Sequence, residues 1–186
     1  MLLIIEGMDR CGKSTLVESL RKNYFVSPNT FVHHSSSPPK VEDKNLWELT
    51  HYTNMFTMSK FMVTNSNFDV IFDRFHLGSA VYGKKYRGMD PTWIYRMDKI
   101  HLKDYNDAAI ILLTDYAEAI SERDDGDSLE TSIDDYRETE QNFLNAYNNS
   151  SCVNRLHINI TDNGGFHNTY PAVTQFLDTV RNHANA

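Results

Sequence analysis

The sequence predicts an α/β protein of three layers, with a parallel sheet of about five strands and helices on both faces. Short apolar runs at residues 2–5, 68–72 and 108–113 have the near-continuous hydrophobicity of strands covered on both sides. Stretches of helical period separate them, so strand and helix alternate along the chain. Successive strands joined through helices lie parallel in one sheet.

Residues 2–5 form the first strand, which Glu6 ends and the glycines at 7 and 12 break. Residues 13–23 follow as a helix with Leu16, Val17 and Leu20 on its inner face. A second strand is expected at 30–33. The Ser/Pro-rich stretch 35–40 is a loop. Residues 45–64 have a long helical pattern containing Leu46, Leu49, Met55, Phe56, Met58 and Met62. The third strand, 68–72, is interrupted by Asp69, and 78–87 fits no element clearly. Asp90 reads as an N-cap with Pro91 at the first helical position, opening a helix to about residue 102. A strand at 108–113, a short helix at 116–122, a helix at 132–147 capped by Ser132, a strand at 156–160 and a helix at 171–182 complete the reading. The polar stretch 123–128 contains Gly126 and reads as a loop or lid, the whole lid covering about 121–131. With no internal repeat, residues 1–186 are expected to be a single domain.

The charge balance argues against one class of activity without excluding it. Eighteen basic residues against 25 acidic ones give a formal net charge of −7, which disfavours tight sequence-blind binding to nucleic acid. Cys11 and Cys152 lie far apart and form no CxxC pair, so neither a disulfide framework nor a zinc site is expected. No run reaches the roughly 18 apolar residues needed to span a bilayer. The opening apolar stretch is too short for a signal peptide. The expectation is a cytoplasmic protein with no membrane partner.

One motif carries the chemistry. Gly7-Met8-Asp9-Arg10-Cys11-Gly12-Lys13-Ser14 fits G-x-x-x-x-G-K-[ST], with an apolar strand before it and an amphipathic helix after it. Such a loop turns successive backbone N–H groups inward to cradle phosphate oxygens, and the helix N-terminus adds partial positive charge. Lys13 is placed to reach the β- and γ-phosphates and Ser14 to ligate Mg²⁺. The fold is therefore expected to be that of the P-loop NTPases. Cys11 stands at a helix N-terminus, where a thiol pKa can fall and allow redox sensitivity, although any small residue fits there. At the end of the third strand, Asp73 can hold Mg²⁺, directly or through water, or accept a substrate proton. Arg74 beside it can grip a phosphate with a bidentate fork.

The segment Glu6-Gly7-Met8-Asp9-Arg10-Cys11-Gly12-Lys13-Ser14-Thr15 resembles the opening of thymidylate kinases. Asp73-Arg74-Phe75 resembles that family's Asp-Arg-Tyr motif, and Val81-Tyr82-Gly83 its Ala-Tyr-Gln segment. Phe56-Thr57-Met58-Ser59-Lys60 resembles the Phe-x-x-x-Arg stretch that holds thymine. The resemblance implies an ATP- and Mg²⁺-dependent nucleoside monophosphate kinase, and a homodimer. By it, Gly7, Arg10, Cys11, Gly12, Lys13, Ser14 and Thr15 bind ATP. Asp9, Phe56, Lys60, Asp73, Arg74 and Tyr82 bind the acceptor, with Phe56 stacking on the base. Lys13, Arg10, Asp9 and Arg123 take part in catalysis, and Ser14 and Asp73 hold the metal. The overall look is similar to nucleotide kinases of large bacteriophages.

Departures from the family pattern widen the choice of acceptor. Where the family places an arginine after its second strand, residues 33–40 read His-His-Ser-Ser-Ser-Pro-Pro-Lys, and Gly78 stands where serine is usual. Lys60 lacks the planar fork of arginine. The acceptor is expected to be a dTMP-like or modified pyrimidine deoxynucleotide. One alternative is a hydroxyl of a nucleoside or of a modified base in DNA. Another is a nucleotide-binding switch with negligible turnover. Within the lid, Arg123 is expected to face the phosphates, and Asp124, Asp125 and Asp127 the solvent. Tyr82 and Tyr86 are candidates for the pocket wall, His76 for an approach to the acceptor, and Lys84, Lys85 and Arg87 for a small basic cluster.

Overall fold

A computed structural model describes residues 1–35, 39–123, 129–130 and 132–184. Part of the expected lid, with Asp124, Asp125 and Asp127, lies outside the described residues. The elements run β1 (Leu2–Gly7), α1 (Lys13–Asn23), β2 (Thr30–His34), α2 (Lys44–Ser66), β3 (Asp69–Asp73), α3 (His76–Arg87), α4 (Thr92–Leu102), β4 (Ala108–Thr114), α5 (Ala117–Ser121), α6 (Ile133–Asn149), β5 (Asn154–Asn159) and α7 (Phe166–Ala184).

The five strands are all parallel, in the order β2-β3-β1-β4-β5. The interior strands β1 and β4 are buried along their whole length, as their apolar sequences require. On one face α1 packs against α7; on the other α3 packs against α6 and α4, and α2 against α4. The register sets Asp73 beside both Ile5 and His34, so the carboxyl ends of β1, β2 and β3 converge at one edge. In open α/β sheets that edge is where ligands bind.

Local chemistry explains the element boundaries. Asp43 caps α2 by accepting from the Leu46 amide at 2.9 Å, and Ser132 caps α6 by accepting from Asp135 at 3.1 Å. Asp90 accepts from the Thr92 amide at 3.0 Å, so α4 begins at Thr92, one residue past Pro91. The unassigned stretch after β3 is helix α3, stopped by Gly88 in the left-handed conformation. Helix α7 starts at Phe166, five residues ahead of the expected start at 171, and Pro171 lies inside it.

The buried stripe of α2 differs from the apolar pattern of its sequence. Its fully inward residues are Glu48, Tyr52, Phe56 and Ser59, spaced at i, i+4, i+8 and i+11. Leu46, Leu49, Met58 and Phe61 are exposed instead. Two of the four inward positions are polar, which directs attention to what they face.

Candidate active site

The phosphate loop lies between β1 and α1. Gly7 has φ +139, and a Cβ there would run into the Leu113 carbonyl of neighbouring β4. Gly12 has φ +72, and a Cβ there would strike the Phe166 ring at the start of α7. Lys13 is almost fully buried; its ammonium donates to the Met8 carbonyl and lies 3.9 Å from Asp9. Burial, and next the nearby Arg74 guanidinium, push the Lys13 pKa down. Cys11 is also buried, and loss of solvation pushes its thiol up to about 12. The redox role that a helix N-terminus suggested is thus corrected: desolvation outweighs the helix dipole.

The carboxyl end of β3 faces the loop. Ser14 donates to Asp73 Oδ2 at 2.7 Å, and His34 Nδ1 lies 2.9 Å from the same oxygen. Asp73 Oδ1 is buried and has no hydrogen-bond partner among the described residues. Arg74 takes φ +66 and pairs with Asp9 across the loop at 2.6 Å. Glu6 holds this corner in place. Fully buried, it accepts from the amides of Phe75 (3.0 Å), Leu77 (2.9 Å) and Gly78 (3.2 Å), so it caps the open end of α3. Burial raises the Glu6 pKa, against the opposing pull of His76 and the three amides.

A second carboxylate, which the sequence reading passed over, lies on the other side of the loop. Asp115 directly follows β4, and its burial is nearly complete. It accepts from the amides of Tyr116 (3.0 Å) and Thr161 (3.2 Å) and pairs with Arg123. Arg123 also donates to the Arg10 carbonyl at 3.1 Å and the Ala119 carbonyl at 2.7 Å. It is therefore fastened to the back of the phosphate loop rather than projected freely from a lid. The signal for Asp115 was present, an acidic residue ending an apolar strand, as with Asp73.

A cavity of about 570 Å³ opens from the loop. Gly7, Asp9 and Arg74 line its near end, and Tyr82, Tyr86 and Phe143 its aromatic wall. Tyr82 stacks on Tyr86 with ring centroids 6.1 Å apart. The helix α2 contributes Tyr52, one turn before the expected Phe56. Phe56 itself has no exposed surface; its ring packs on Phe75, His76 and His101, so a core position replaces the expected base platform. Lys60 is likewise corrected: its ammonium bonds the His101 carbonyl at 3.1 Å and lies over the Tyr105 ring, away from the cavity. His76 is buried against Asp98 at 2.8 Å. The basic cluster of 84–87 divides: Lys85 reaches Asp135 and Thr139 of α6, while Arg87 pairs with Glu48 at 2.7 Å.

Sequence reasoning missed the polar network behind the cavity wall. Ser79 donates to Glu48 Oε1 at 2.8 Å, and Tyr52 lies 2.8 Å from the Ser79 hydroxyl. The clue was a glutamate one helical turn before an inward tyrosine.

The hard oxygen donors of Ser14 and Asp73, with Asp73 Oδ1 free of protein partners among the described residues, fit Mg²⁺. Loop, strand-end carboxylate and adjoining cavity lie together at the carboxyl edge of the sheet. The solved structures agree with that architecture. The YorR protein of Bacillus subtilis, in complex with phosphorylated GDP, superposes with a TM-score of 0.73 at 20% identity, covering 98% of each chain. The fold is that of the P-loop kinases. Thymidylate kinase from Candida albicans matches with a TM-score of 0.62 at 18% identity, over 98% of this chain and 92% of that one. Polyphosphate kinase 2 from Arthrobacter aurescens TC1 matches with a TM-score of 0.65 at 15% identity, over 97% and 68%. No protein-family model and no curated protein matches the sequence. Within this P-loop kinase fold, the described helices include none long and apolar enough to cross a membrane.

Proposed function

We propose that the protein is a nucleotide kinase that transfers the γ-phosphoryl group of ATP to a deoxynucleoside monophosphate in the cytoplasm, with residues 1–186 acting as one catalytic domain. The observation that carries this reading is that Gly7 and Asp9 belong both to the phosphate loop and to the lining of the cavity. A donor held on the loop and an acceptor held in the cavity would bring their phosphates together there.

The amides of residues 7–15 hold the donor's phosphates. Lys13 leaves the Met8 carbonyl for the β- and γ-oxygens, and Arg10 adds a second cation to the loop. Arg74, positioned by Asp9, grips the acceptor phosphate, and Tyr82 closes the wall beside it. Mg²⁺ held by Ser14 and Asp73 would neutralise charge on the transferring group. Arg123 stiffens the loop through the Arg10 carbonyl. An acceptor phosphate is already ionised, so positioning and electrostatic stabilisation do most of the catalytic work.

A hydroxyl acceptor would need a carboxylate base. Asp9 is committed to Arg74, and Asp73, whose Oδ2 is held by Ser14 and His34, would give its open Oδ1 to Mg²⁺, which favours the phosphate acceptor. The thymine preference implied by the resemblance loses its support, because Phe56 and Lys60 do not line the cavity. The exposed Leu46, Leu49, Met58 and Phe61 of α2 offer an apolar surface for a homodimer.

A coupled ADP-release assay over nucleosides, deoxynucleoside monophosphates and DNA tests the reading. Turnover with at least one monophosphate is expected. Turnover confined to nucleosides or DNA would replace it with the hydroxyl kinase, and no turnover with any acceptor would point to a nucleotide-binding switch.

A further inference from the structure

We infer that Arg87 is the specificity-determining residue of the acceptor cavity: its guanidinium donates to a carbonyl on the pairing edge of the acceptor's base and turns away an amino group at that place. The inference rests on the nucleotide-kinase reading and supplies the feature of the base which that reading leaves unassigned.

Arg87 lines the cavity, and its side chain is 25% exposed. Two contacts fix where its guanidinium lies. Nη2 donates to Glu48 Oε1 at 2.7 Å. Glu48 itself stays behind the wall with no exposed surface, and Ser79 donates to the same oxygen at 2.8 Å. The second contact is with Gly83, buried within α3. A Cβ there would lie 2.9 Å from Arg87 Nη2 and 2.5 Å from Met89 Cε. The guanidinium thus rests against α3 where a side chain would otherwise stand.

Neither contact is what stability alone selects. A buried ion pair seldom outdoes apolar residues of the same volume. Glycine weakens a helix interior relative to alanine. Together they hold one planar fork in place on the cavity wall. The remaining N–H groups of that fork bond no described residue.

The place suits a base. Arg74, just before α3, stands at the phosphate end. Gly83 is two helical turns, about 10 Å, past the start of α3. A mononucleotide has a similar reach from its phosphate to the far edge of its base. Tyr82 and Tyr86, stacked with ring centroids 6.1 Å apart, wall the same stretch of cavity and offer aromatic faces to a base.

A guanidinium has donors only, so its partner on the base must be an acceptor. Guanine O6 and thymine O4 are such acceptors, and hypoxanthine and uracil carry the same carbonyls. Adenine and cytosine present an amino group there, so N–H would face N–H. The fork would then lose a bond in a space from which the base has displaced water.

The test is ADP release by the wild-type protein with two matched pairs, dIMP against dAMP and dUMP against dCMP. Within a pair the ring is the same size, and only the oxo or amino group and the proton on the neighbouring ring nitrogen differ. We expect kcat/KM for the oxo member to exceed that of the amino member by about 10- to 100-fold in whichever pair is turned over. Arg87→Lys keeps a cation for Glu48 but lacks the fork, and should bring the ratio toward one, chiefly through the acceptor KM, with the KM for ATP unchanged. Gly83→Ala should displace the guanidinium and lower the same ratio, while the urea midpoint holds or rises because alanine favours the helix. Either variant decides the matter if the other does not fold. Equal or better turnover of the amino member overturns the carbonyl assignment and leaves the kinase standing. An oxo preference indifferent to both substitutions overturns the role of Arg87. Absence of turnover with every monophosphate, with ATP still bound, overturns the kinase reading and this inference with it.

Discussion

On one side of β1, nine consecutive residues, 7–15, form the loop of the proposed donor site, whose work would fall to backbone amides and one ammonium. On the proposed acceptor side, Tyr52 comes from α2 and Ser79 and Arg87 from α3, with Tyr52 and Ser79 27 positions apart. The donor side is fixed by covalent neighbourhood; the acceptor side exists only once two helices pack on the sheet. A loop of this kind fixes its glycines, lysine and hydroxyl and leaves the positions between them free, because its backbone is the binding surface. The acceptor wall can change its ligand through single side chains while the fold stands.

Four experiments sharpen or break that contrast. The largest effect should come from the donor side: Lys13→Ala should lower kcat by about 100- to 1,000-fold while circular dichroism reports an intact fold. A variant turning over at near-normal rate would mean that the loop is not the phosphate site. Gly7→Ala should follow, costing roughly 3 kcal/mol in urea unfolding, because the new methyl meets the Leu113 carbonyl at a φ that disfavours side chains. An unchanged midpoint would show that the loop is less constrained than its geometry implies.

On the acceptor side, Phe56→Leu should cost about 1–2 kcal/mol of stability and leave the acceptor KM within about two-fold, since the ring is core. A large KM effect with unchanged stability would restore Phe56 as the base platform. The smallest effect concerns pH. Burial acts to raise the Asp115 carboxyl, but the Thr161, Arg123 and Tyr116 donors outweigh it and hold the pKa below the ordinary 3.8. A depressed carboxylate contributes stability that is complete above its unfolded pKa and is lost as pH falls through the folded value. The urea midpoint should therefore decline on acidification below about pH 4, less steeply in Asp115→Asn. Equal slopes for the two proteins would remove Asp115 from the account.

The same contrast explains what the sequence made legible. The loop was readable because its chemistry needs a contiguous pattern, and Asp73-Arg74 because it ends an apolar strand. The α/β layers followed from alternation, and the five parallel strands agree with that expectation. Phe56 was expected at the cavity, and Tyr52, one turn earlier in α2, lines it instead. Helical period leaves Tyr52 and Phe56 on one face, and only tertiary packing tells which meets the cavity. Glu48 was invisible because a lone glutamate in a helix normally faces solvent. Asp115 followed the rule that found Asp73, but no recognised motif surrounded it. Helix α7 began earlier than expected because Pro171 suggested a first helical position, whereas the chain accommodates it inside the helix.

The most direct test of the central claim is a crystal structure with a bisubstrate compound in which adenosine and a deoxynucleoside are joined through five phosphates. The account predicts phosphates on the amides of residues 7–15 with Lys13 turned toward them, and the deoxynucleoside inside the cavity beside Arg74 and Tyr82. Phosphates bound elsewhere, with Lys13 still on the Met8 carbonyl and the cavity empty, would contradict it.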